Sequence, residues 1–281
     1  MANILVVGSV AWDEVVKMES PLRSGAHNQG RWIGKRIGGG AANTGMALAR
    51  AGDRALIVSA VGDDPDGERL MQELMRMGLD TRYLERGADA TTRSLVILEE
   101  GGERTIVNLS RARVPLPSAL AAIPANCLYV RSADPALQPI LDKRVQHGGL
   151  VVAHVPPLDA GCLPAQVLVA SAADLDGKFL ADPYGAGFGI AGAHLAWMVI
   201  TDAAEGAKAY GPDRVLSAAA PPGKVVDTTG AGDVFAAGLC HALAHGKDMD
   251  AALTTAVEWG TISVRYEGTV PPPGFPYSLE S

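Results

Sequence analysis

Residues 227–233 (DTTGAGD) combine small side chains with two carboxylates, directly before an apolar stretch that predicts a helix. The first N–H groups of a helix have no partner inside the helix, so small residues allow an anion to reach them. We therefore expect the backbone N–H groups of Gly230, Ala231 and Gly232 to stabilise a phosphoryl group. Asp233 would lie beside it as a general base that accepts a proton from an alcohol. The same run is also compatible with a plain turn in which Asp233 complements the helix dipole.

A second glycine-rich segment, residues 38–43 (GGGAAN), precedes a predicted helix that ends at Gly52. Glycines allow the backbone to approach a ligand closely, and the Asn43 amide can hydrogen bond to a hydroxyl group. This segment therefore predicts a second ligand contact. Taken alone, Asn43 is equally compatible with a helix-capping residue.

Elements that could position these motifs alternate along the chain. Short apolar runs of strand length are separated by helical patterns, and they lie at residues 4–7, 55–61, 128–130, 150–152, 167–170 and 197–201. Near-continuous apolar strands between helices predict a mainly parallel sheet that is covered on both faces. In such sheets ligands bind beyond the C-terminal ends of the strands.

Residues 61–80 predict a further helix of this layer. Asp64 is the expected N-cap before Pro65 at the first helical position, and Gly78 is the expected end. The spacing of its apolar residues indicates a buried helix face, which comprises Leu70, Met71, Leu74 and Met77.

Two segments, residues 12–37 and 92–110, interrupt the alternation. The second predicts a hairpin with strands at residues 95–98 and 105–108. Neither segment can bury a core alone, so we expect them to form a small β layer over the ligand crevice. Such a lid would exclude water during phosphoryl transfer. We therefore expect residues 1–281 to form a single domain with this lid, and a homodimer through its exposed face is a hypothesis.

Composition and charge narrow the classes of partner. The 281 residues are 48% hydrophobic and carry a net charge of −7 with no cluster of Lys and Arg, which argues against nucleic-acid binding. No apolar run reaches membrane-spanning length and the first residues lack the pattern of a signal peptide, so we expect a cytoplasmic protein that acts on small molecules.

The cysteines and histidines predict no metal site. Cys127, Cys162 and Cys240 are far apart in apolar stretches and are expected to be buried, reduced thiols. His241 and His245 lie four residues apart on a predicted helix. Because no Cys or acidic third ligand lies nearby in the sequence, we do not expect zinc there.

From Gly8 and Asp13 through both glycine motifs to Gly268, the sequence resembles members of the PfkB (ribokinase-like) carbohydrate kinase family. The resemblance rests on residues 39–62, on the helix that follows and on residues 227–233. It implies a ribokinase-like three-layer α/β/α fold with a mainly parallel central sheet and a small β-sheet lid. It also implies transfer of the γ-phosphate of ATP to an alcohol group of a sugar or sugar-like molecule.

The resemblance implies a role for each glycine motif. Asp233 matches the catalytic base of the family, and Gly230, Ala231 and Gly232 match its anion hole. Asp13 matches an aspartate that holds sugar hydroxyls, which suits a carboxylate that accepts two hydroxyl protons, although Asp13 alone is also compatible with a turn residue. The positions that match the loop lining the sugar pocket are Gly39, Gly40 and Asn43.

Nucleotide and metal contacts also follow from the resemblance. Thr201, Gly206 and Thr228 match positions that bind ATP. Asp227 and Thr229 match positions that in some relatives bind a monovalent cation such as K⁺, and a cap at the helix start explains Asp227 equally well. The resemblance further implies Mg²⁺ beside the phosphates.

The sequence departs from the family pattern at four places. Residues 171–174 (SAAD) replace the usual Asn-x-x-Glu, and Asp174 is expected to serve as an indirect Mg²⁺ ligand. Gly40 replaces the lysine of ribokinases, which argues against ribose. Asp202 places negative charge where phosphates would approach. His154 replaces a usual Asn or Asp and is interpreted as a packed residue more readily than as a ligand contact.

Two alternatives remain at this stage. A nucleoside kinase of the same family would share both motifs, but the aromatic residues at and near the lid segments, Trp12, Trp32 and Tyr83, are few and do not favour base stacking. A sugar- or nucleotide-binding sensor without turnover is suggested by residues 171–174 and Asp202. The intact Asp233 motif argues against the sensor.

Overall fold

The computed structural model describes residues 1–99, 104–114, 116–117, 119–156, 161–269, 271–272 and 274–276. Its strands, in chain order, are β1 (Asn3–Gly8), β2 (Ala11–Met18), β3 (Gly30–Gly38), β4 (Arg54–Gly62), β5 (Asp80–Gly87), β6 (Arg93–Leu98), β7 (Arg104–Ser110), β8 (Cys127–Arg131), β9 (Val151–His154), β10 (Val167–Ser171), β11 (Trp197–Thr201), β12 (Ala207–Tyr210) and β13 (Val215–Ala218). Its α-helices are α1 (Gly40–Arg50), α2 (Pro65–Arg76), α3 (Leu137–Gln146), α4 (Gly177–Ala181), α5 (Pro183–Ala191), α6 (Ala231–Ala244) and α7 (Met249–Ser263).

Nine of the strands form the main sheet in the order β13-β12-β11-β10-β9-β8-β1-β4-β5. The strands from β11 to β5 across this sheet pair in parallel, whereas β12 and β13 pair antiparallel at one edge. The six predicted strand runs all fall within strands of this sheet, apart from Leu150, which directly precedes β9. The expected mainly parallel sheet is confirmed.

Alternate side chains of β1 pack into different cores, which gives the fold its three layers. Ile4 and Val6 are fully buried among residues of α1, α6 and α7. Leu5 and Val7 are fully buried on the opposite face among residues of α3 and α5. A parallel strand buried on both faces has no polar alternation, which is why its sequence is a continuous apolar run.

The remaining four strands form a separate small sheet in the order β3-β2-β6-β7. Strand β2 pairs antiparallel with β3 and in parallel with β6, and β6 pairs antiparallel with β7. These strands fall within or next to the two segments expected to form the lid. The predicted hairpin loop at residues 100–103 lies outside the described residues.

Helix α2 begins and ends as predicted. Asp64 is its N-cap, Pro65 is its first residue, and Gly78 follows it with a φ of +85°. Leu70 and Leu74 are fully buried, while the two predicted core methionines of this face pack against the core with part of their surface exposed. The helix is therefore positioned by its cap and by its leucines.

We expect Asp64→Ala to lower the free energy of unfolding by about 1–2 kcal/mol, the usual cost of losing a helix N-cap. Its carboxylate accepts hydrogen bonds from Gly67 N (2.7 Å), Thr91 N (2.9 Å) and Thr91 Oγ1 (2.7 Å). Burial raises the pKa of Asp64, but these hydrogen bonds outweigh burial and hold the pKa below its ordinary value.

A carboxyl with a lowered pKa stabilises the fold above its unfolded-state pKa, and this stabilisation is lost as the pH falls through the folded-state pKa. The difference between wild type and Asp64→Ala should therefore shrink below about pH 4. Denaturant unfolding at pH 7 and at pH 3 measures it, with Glu258→Ala as a control on an exposed helix face. A loss that persists unchanged at pH 3 would contradict this role.

One expectation about isolated side chains was wrong, and the reason given for another does not hold in three dimensions. Cys127 and Cys240 are buried, but Cys162 is exposed. An acidic third partner for the histidine pair does exist, because Asp53 hydrogen bonds to both His241 and His245 although it is far away in the sequence. Among the described residues, no helix is long and apolar enough to cross a membrane.

Candidate active site

The two glycine motifs meet at the starts of α1 and α6. Asp233 lies in the first turn of α6 and is only 6% exposed, and its Oδ2 accepts a hydrogen bond from Asn43 Nδ2 at 2.8 Å. Thr44 Oγ1 donates to the Asp233 backbone oxygen at 3.2 Å. Residues that lie 190 positions apart in the sequence are thus brought into one site.

Asp233 retains an oxygen that is suited to accept a proton. Its buried Oδ1 has no hydrogen-bond donor among the described residues, and Arg131 Nε lies 3.1 Å away as an ion-pair partner. The alternative role of Asn43 as a helix cap is wrong, because Gly39 is the N-cap of α1 and Asn43 lies inside the helix. Its amide positions the Asp233 carboxylate instead.

The turn before α6 leaves backbone donors for an anion. Gly230 has a left-handed conformation with φ 78° and ψ 1°, which glycine adopts at little cost. Ala231 N donates to Thr228 O at 3.3 Å, whereas the N–H groups of Gly230 and Gly232 donate to no acceptor within the described part of the chain. The predicted anion hole therefore has two available N–H groups, and a third requires the Ala231 bond to open.

Asp13 lies in strand β2 and is 9% exposed, so its alternative role as a turn residue is wrong. Burial raises the pKa of its carboxyl, the nearby Asp233 charge raises it further, and Arg36 partly offsets both effects. Any side chain at Gly38 would overlap the Asp13 carboxylate. Strand β2 of the small sheet thus places a buried carboxylate near Asp233 at the start of α6.

Gly39 and Gly40 are needed for close packing. Gly39 has a φ of +89°, and a Cβ there would lie 2.5 Å from Ser9 O, a backbone atom that cannot move aside easily. A Cβ at Gly40 would overlap the side chain of Arg131. The first motif therefore holds the connection between β1 and β2 close to α1.

The predicted nucleotide contacts lie at another part of the same edge. Thr201 is the last residue of β11, and Gly206 stands before β12 with a φ of +91°. A Cβ at Gly206 would clash with the backbone after β13. Thr228 Oγ1 accepts a hydrogen bond from Arg104 Nη1 of β7 at 3.2 Å, which joins the small sheet to the turn before α6.

Asp227 does not fit the expected monovalent-cation site. Its carboxylate accepts hydrogen bonds from Thr229 N (2.8 Å) and Gly268 N (3.0 Å), and Arg36 Nη1 lies 3.4 Å away. Burial raises the pKa of Asp227, but these hydrogen bonds and Arg36 outweigh burial and lower the pKa. Donors and a positive charge already satisfy this carboxylate, so its role is to hold the turn.

A cavity of about 830 Å³ opens at the C-terminal ends of β1, β8, β9 and β10. Its lining includes Ser9, Arg131, His154 and Asp174. Asp174 is exposed and makes no hydrogen bond through its side chain among the described residues, so its carboxylate fits an outer-sphere Mg²⁺ role.

His154 was interpreted as a packed residue, yet it lines this cavity while its Nδ1 lies 3.0 Å from Val155 O. Burial, together with the positive charge of Arg131, lowers the pKa of His154. The neutral imidazole therefore predominates at neutral pH.

Sequence reasoning missed Arg131 and Arg36. Arg131 does carry a signal, since it directly follows a buried apolar strand and so belongs at the ligand edge of a parallel sheet. Arg36 lies in β3 between the carboxylates of Asp13 and Asp227, and no local pattern indicates that position.

Comparison with known proteins agrees with this arrangement. The family model described as pfkB family carbohydrate kinase matches residues 1–137 and 186–273. The chain is 28% identical to the ribokinase of Bacillus subtilis (strain 168), over 94% of this chain and 93% of that protein. It is 24% identical to a nucleoside kinase of Methanothermobacter thermautotrophicus, over 95% of this chain and 91% of that protein.

A solved structure has the same fold. The ribokinase of Cryptococcus neoformans var. grubii serotype A, in complex with ADP, superposes with a TM-score of 0.76 at 24% identity. The match covers 97% of this chain and 98% of the other. The three-layer arrangement and the separate small sheet therefore belong to a known architecture.

Proposed function

Since the chain belongs to the pfkB family of carbohydrate kinases, which transfer phosphate to alcohol acceptors, we propose that it moves the γ-phosphate of ATP to a hydroxyl of a sugar or sugar-like small molecule. The observation that most strongly supports this proposal is the convergence at the start of α6. A buried carboxylate, Asp233, whose Oδ1 accepts no hydrogen bond among the described residues, lies beside the backbone N–H groups of Gly230 and Gly232. We further propose that the reaction takes place in the cytoplasm.

In the proposed mechanism, Asp13 accepts hydrogen bonds from acceptor hydroxyls, and the loop at Gly39 and Gly40 lines the pocket. Asn43 holds Oδ2 of Asp233, so that Oδ1 is left to take the proton of the reacting hydroxyl. Fixed geometry of this kind replaces a chance encounter between acceptor and base.

The donor side of the reaction uses the N–H groups before α6 to stabilise charge on the transferring phosphoryl group. Thr201, Gly206 and Thr228 are proposed to contact ATP, and Asp174 is proposed to hold Mg²⁺ through water. When bound, Mg²⁺ neutralises charge on the phosphates.

A nucleoside acceptor is the second candidate, because one of the relatives is a nucleoside kinase. The described lining of the main cavity contains no Phe, Tyr or Trp side chain that would stack on a base. Trp12 is 9% exposed and donates through Nε1 to Asp66 O, so its ring is buried where the small sheet contacts α2. These contacts favour a sugar-like acceptor.

ADP release with Mg²⁺ and ATP, measured against a panel of sugars, sugar acids, sugar phosphates, polyols and nucleosides, tests the function. We expect one chemical class to respond far above the rest. No response from any member, combined with retained ADP binding, would contradict the kinase proposal and favour a sensor.

We also propose that the small sheet is a lid and that its outer face pairs with a second copy of the chain. The small sheet exposes several large apolar side chains, which monomeric proteins rarely leave uncovered. They include Trp32 (64%), Ile33 (46%), Ile106 (51%), Val107 (43%) and Leu109 (50%). Light scattering at micromolar concentrations should give the mass of a dimer, and a monomer would contradict the pairing.

A further inference from the structure

Arg131 is a cation that the proposed chemistry leaves without a role. It ends β8, lines the main cavity and has 37% of its side chain exposed. Asp233 is the one carboxylate with which it forms an ion pair in the described structure, at 3.1 Å. The Tyr129 hydroxyl also interacts with the guanidinium. A guanidinium offers five N–H donors in a planar fork, so these two neighbours leave donors for a ligand.

The first glycine motif leaves room for the Arg131 side chain. Any side chain at residue 40 would overlap the Cδ and Nε atoms of Arg131, so Gly40 provides the space in which the arginine lies. The positive charge beside this loop therefore comes from the end of β8.

The charge of Arg131 is maintained by its neighbours. Asp233 is the first cause that raises the pKa of Arg131 above its ordinary value, and Asp174 contributes, so the guanidinium stays charged. A permanently charged guanidinium that lines a cavity is suited to bind an anionic group.

Further charges around the cavity favour an anion. Arg111 also lines it, and an excess of positive lining charge concentrates anionic ligands. Arg113 lines it as well, but its side chain is 92% exposed and pairs with Asp89, so we expect little contribution from it. Asp174 adds one negative charge to the lining. Asp134 faces the same cavity, but its Oδ1 accepts a hydrogen bond from Ala136 N at 2.9 Å.

We propose that Arg131 binds an anionic group of the acceptor, a carboxylate or a phosphate, and thereby selects acidic sugars over neutral ones. This inference rests on the proposed kinase function and specifies its substrate class. A carboxylate or phosphate can accept two parallel hydrogen bonds from one guanidinium, which gives direction as well as attraction.

The location of Arg131 favours the acceptor over the nucleotide as the source of the anion. Strand β8 adjoins β1, and Ser9 directly after β1 contacts the Gly39–Gly40 loop, whereas Thr201 on β11 is three strands away in the sheet order. At about 4.8 Å per strand, that separation is roughly 14 Å. The anion is therefore expected to belong to the molecule that Asp13 and Asn43 hold.

Matched pairs of acceptors test the proposal: glucose with gluconate, and ribose with ribonate and ribose 5-phosphate. Binding is measured by calorimetry and turnover by ADP release, each with wild type, Arg131→Met, Arg131→Lys and Arg113→Met. The Arg113 side chain is 92% exposed and pairs with Asp89, so its replacement is the matched control.

We expect an acidic member to bind at least about tenfold more tightly than its neutral partner, and Arg131→Met to abolish that preference. Arg131→Lys should keep part of it, and Arg113→Met should change it less than about twofold. The sugar-acid and sugar-phosphate arms distinguish a carboxylate from a phosphate.

Equal binding of acidic and neutral members by wild type would overturn the inference, and so would an Arg131→Met variant that raises the KM for ATP alone. Turnover of neutral sugars without acid preference would overturn it and leave the kinase function standing. Acid-selective binding without ADP release would instead support it and contradict the kinase function.

A second, independent observation concerns the opposite end of α6. His241 Nδ1 lies 2.6 Å from Asp53 Oδ2, and His245 Nε2 lies 2.9 Å from Asp53 Oδ1. The three ligand atoms all lie within 4.8 Å of one another. Asp53 precedes β4, so this cluster lies at the sheet edge away from the candidate active site.

The cluster is held in place and is open to solvent. Ala2 N donates to Asp53 Oδ1 at 2.8 Å, and the His241 ring packs on Trp259 with centroids 5.0 Å apart. The Asp53 side chain is 2% exposed, whereas the two imidazoles are 26% and 34% exposed. An ion can therefore reach the ring nitrogens and keep a water as its fourth ligand.

The geometry points to a structural Zn²⁺ site formed by Asp53, His241 and His245. Two imidazoles and one carboxylate are a zinc donor set, and histidines four residues apart lie on one face of a helix. Without the ion, the imidazoles hydrogen bond to the carboxylate. With it, the same side chains bind the metal and connect the segment between α1 and β4 to α6.

Calorimetry with Zn²⁺ on chelator-treated protein tests this site, in a Cys162→Ser background because that thiol is exposed. We expect one ion per chain and a melting temperature that rises with zinc, because ligands that bind only the native state stabilise it. His245→Gln should abolish both effects, and His194→Gln on an exposed turn should abolish neither.

Substituted Co²⁺ provides a second readout, since tetrahedral coordination gives intense visible absorption. Absence of saturable binding to the parent protein, or binding that His245→Gln retains, would overturn the assignment.

Discussion

Asp233→Asn is expected to lower kcat by about a hundredfold or more, the scale of losing a general base. The change keeps the shape of the side chain and removes its capacity to take a proton. The asparagine keeps an oxygen that can accept the hydrogen bond that Asn43 Nδ2 donates to Oδ2 of Asp233 in the wild type. Because the local structure is retained, the loss should appear in kcat while ADP affinity stays near that of wild type. Steady-state ADP release and calorimetry with ADP measure the two quantities.

The control for this variant is Asp250→Asn, at an exposed position in the first turn of α7. It makes the same chemical change in another first helical turn, away from the site, and should leave kcat unchanged. Near-normal turnover by Asp233→Asn would exclude it as the base. A collapse of ADP affinity would instead indicate that Asp233 mainly organises the turn.

The second large effect is expected from Asp13→Asn, which should lower kcat/KM for the acceptor by about a hundredfold, since hydrogen bonds to a charged group contribute about 1.5–3 kcal/mol each. The KM for ATP should stay unchanged, because Asp13 lies in the small sheet and the proposed ATP contacts lie at β11 and the turn before α6. An equal rise of both KM values would contradict an acceptor-specific role.

The Asp13 substitution also gives a stability prediction, and its sign is opposite to that for Asp64→Ala. Burial raises the pKa of this carboxyl above its ordinary 3.8. A group with a raised folded-state pKa stabilises the fold below its unfolded-state pKa, and this contribution is lost as the pH rises through the folded-state pKa. At neutral pH the buried charge is therefore a cost, and Asp13→Asn should be at least as stable as wild type.

The pH dependence of kcat/KM separates the role of Asp13 in acceptor binding from its effect on stability. If acceptor binding needs the ionised Asp13 carboxylate, kcat/KM falls as the pH drops through a pKa above 3.8, and this limb should be missing from Asp13→Asn. Thermal melting at pH 7 completes the test. A variant that is clearly less stable at pH 7 would show that the carboxylate serves the fold.

Local patterns in the sequence predicted the parallel sheet, the cap of α2 at Asp64 and the two glycine motifs. These features depend on side chains within one or two helical turns, or on the continuous apolar character of a strand buried on both faces. The approach of Asn43 to Asp233 did not follow from local pattern. It was expected only because the resemblance placed both residues in one site.

Other contacts had no signal of that kind. The parallel pairing of β2 with β6 joins segments separated by β3, α1, β4, α2 and β5, and hairpin patterns do not encode it. Asp53 lies in the connection between α1 and β4, and only the folded chain brings it to His241 of α6. Arg131 could be placed at the ligand edge, but its overlap with the space above Gly40 depends on three-dimensional packing.

The acceptor carboxylate Asp13 and the base Asp233 belong to different layers, since one lies on the small sheet and the other on a helix packed against the main sheet. An acceptor that contacts both carboxylates connects the small sheet to α6. Its binding free energy therefore also stabilises the contact between these layers. By thermodynamic reciprocity, any interaction that fixes the small sheet in this position raises acceptor affinity by the same factor by which the acceptor favours that position. Self-association through the small sheet would then couple protein concentration to substrate affinity.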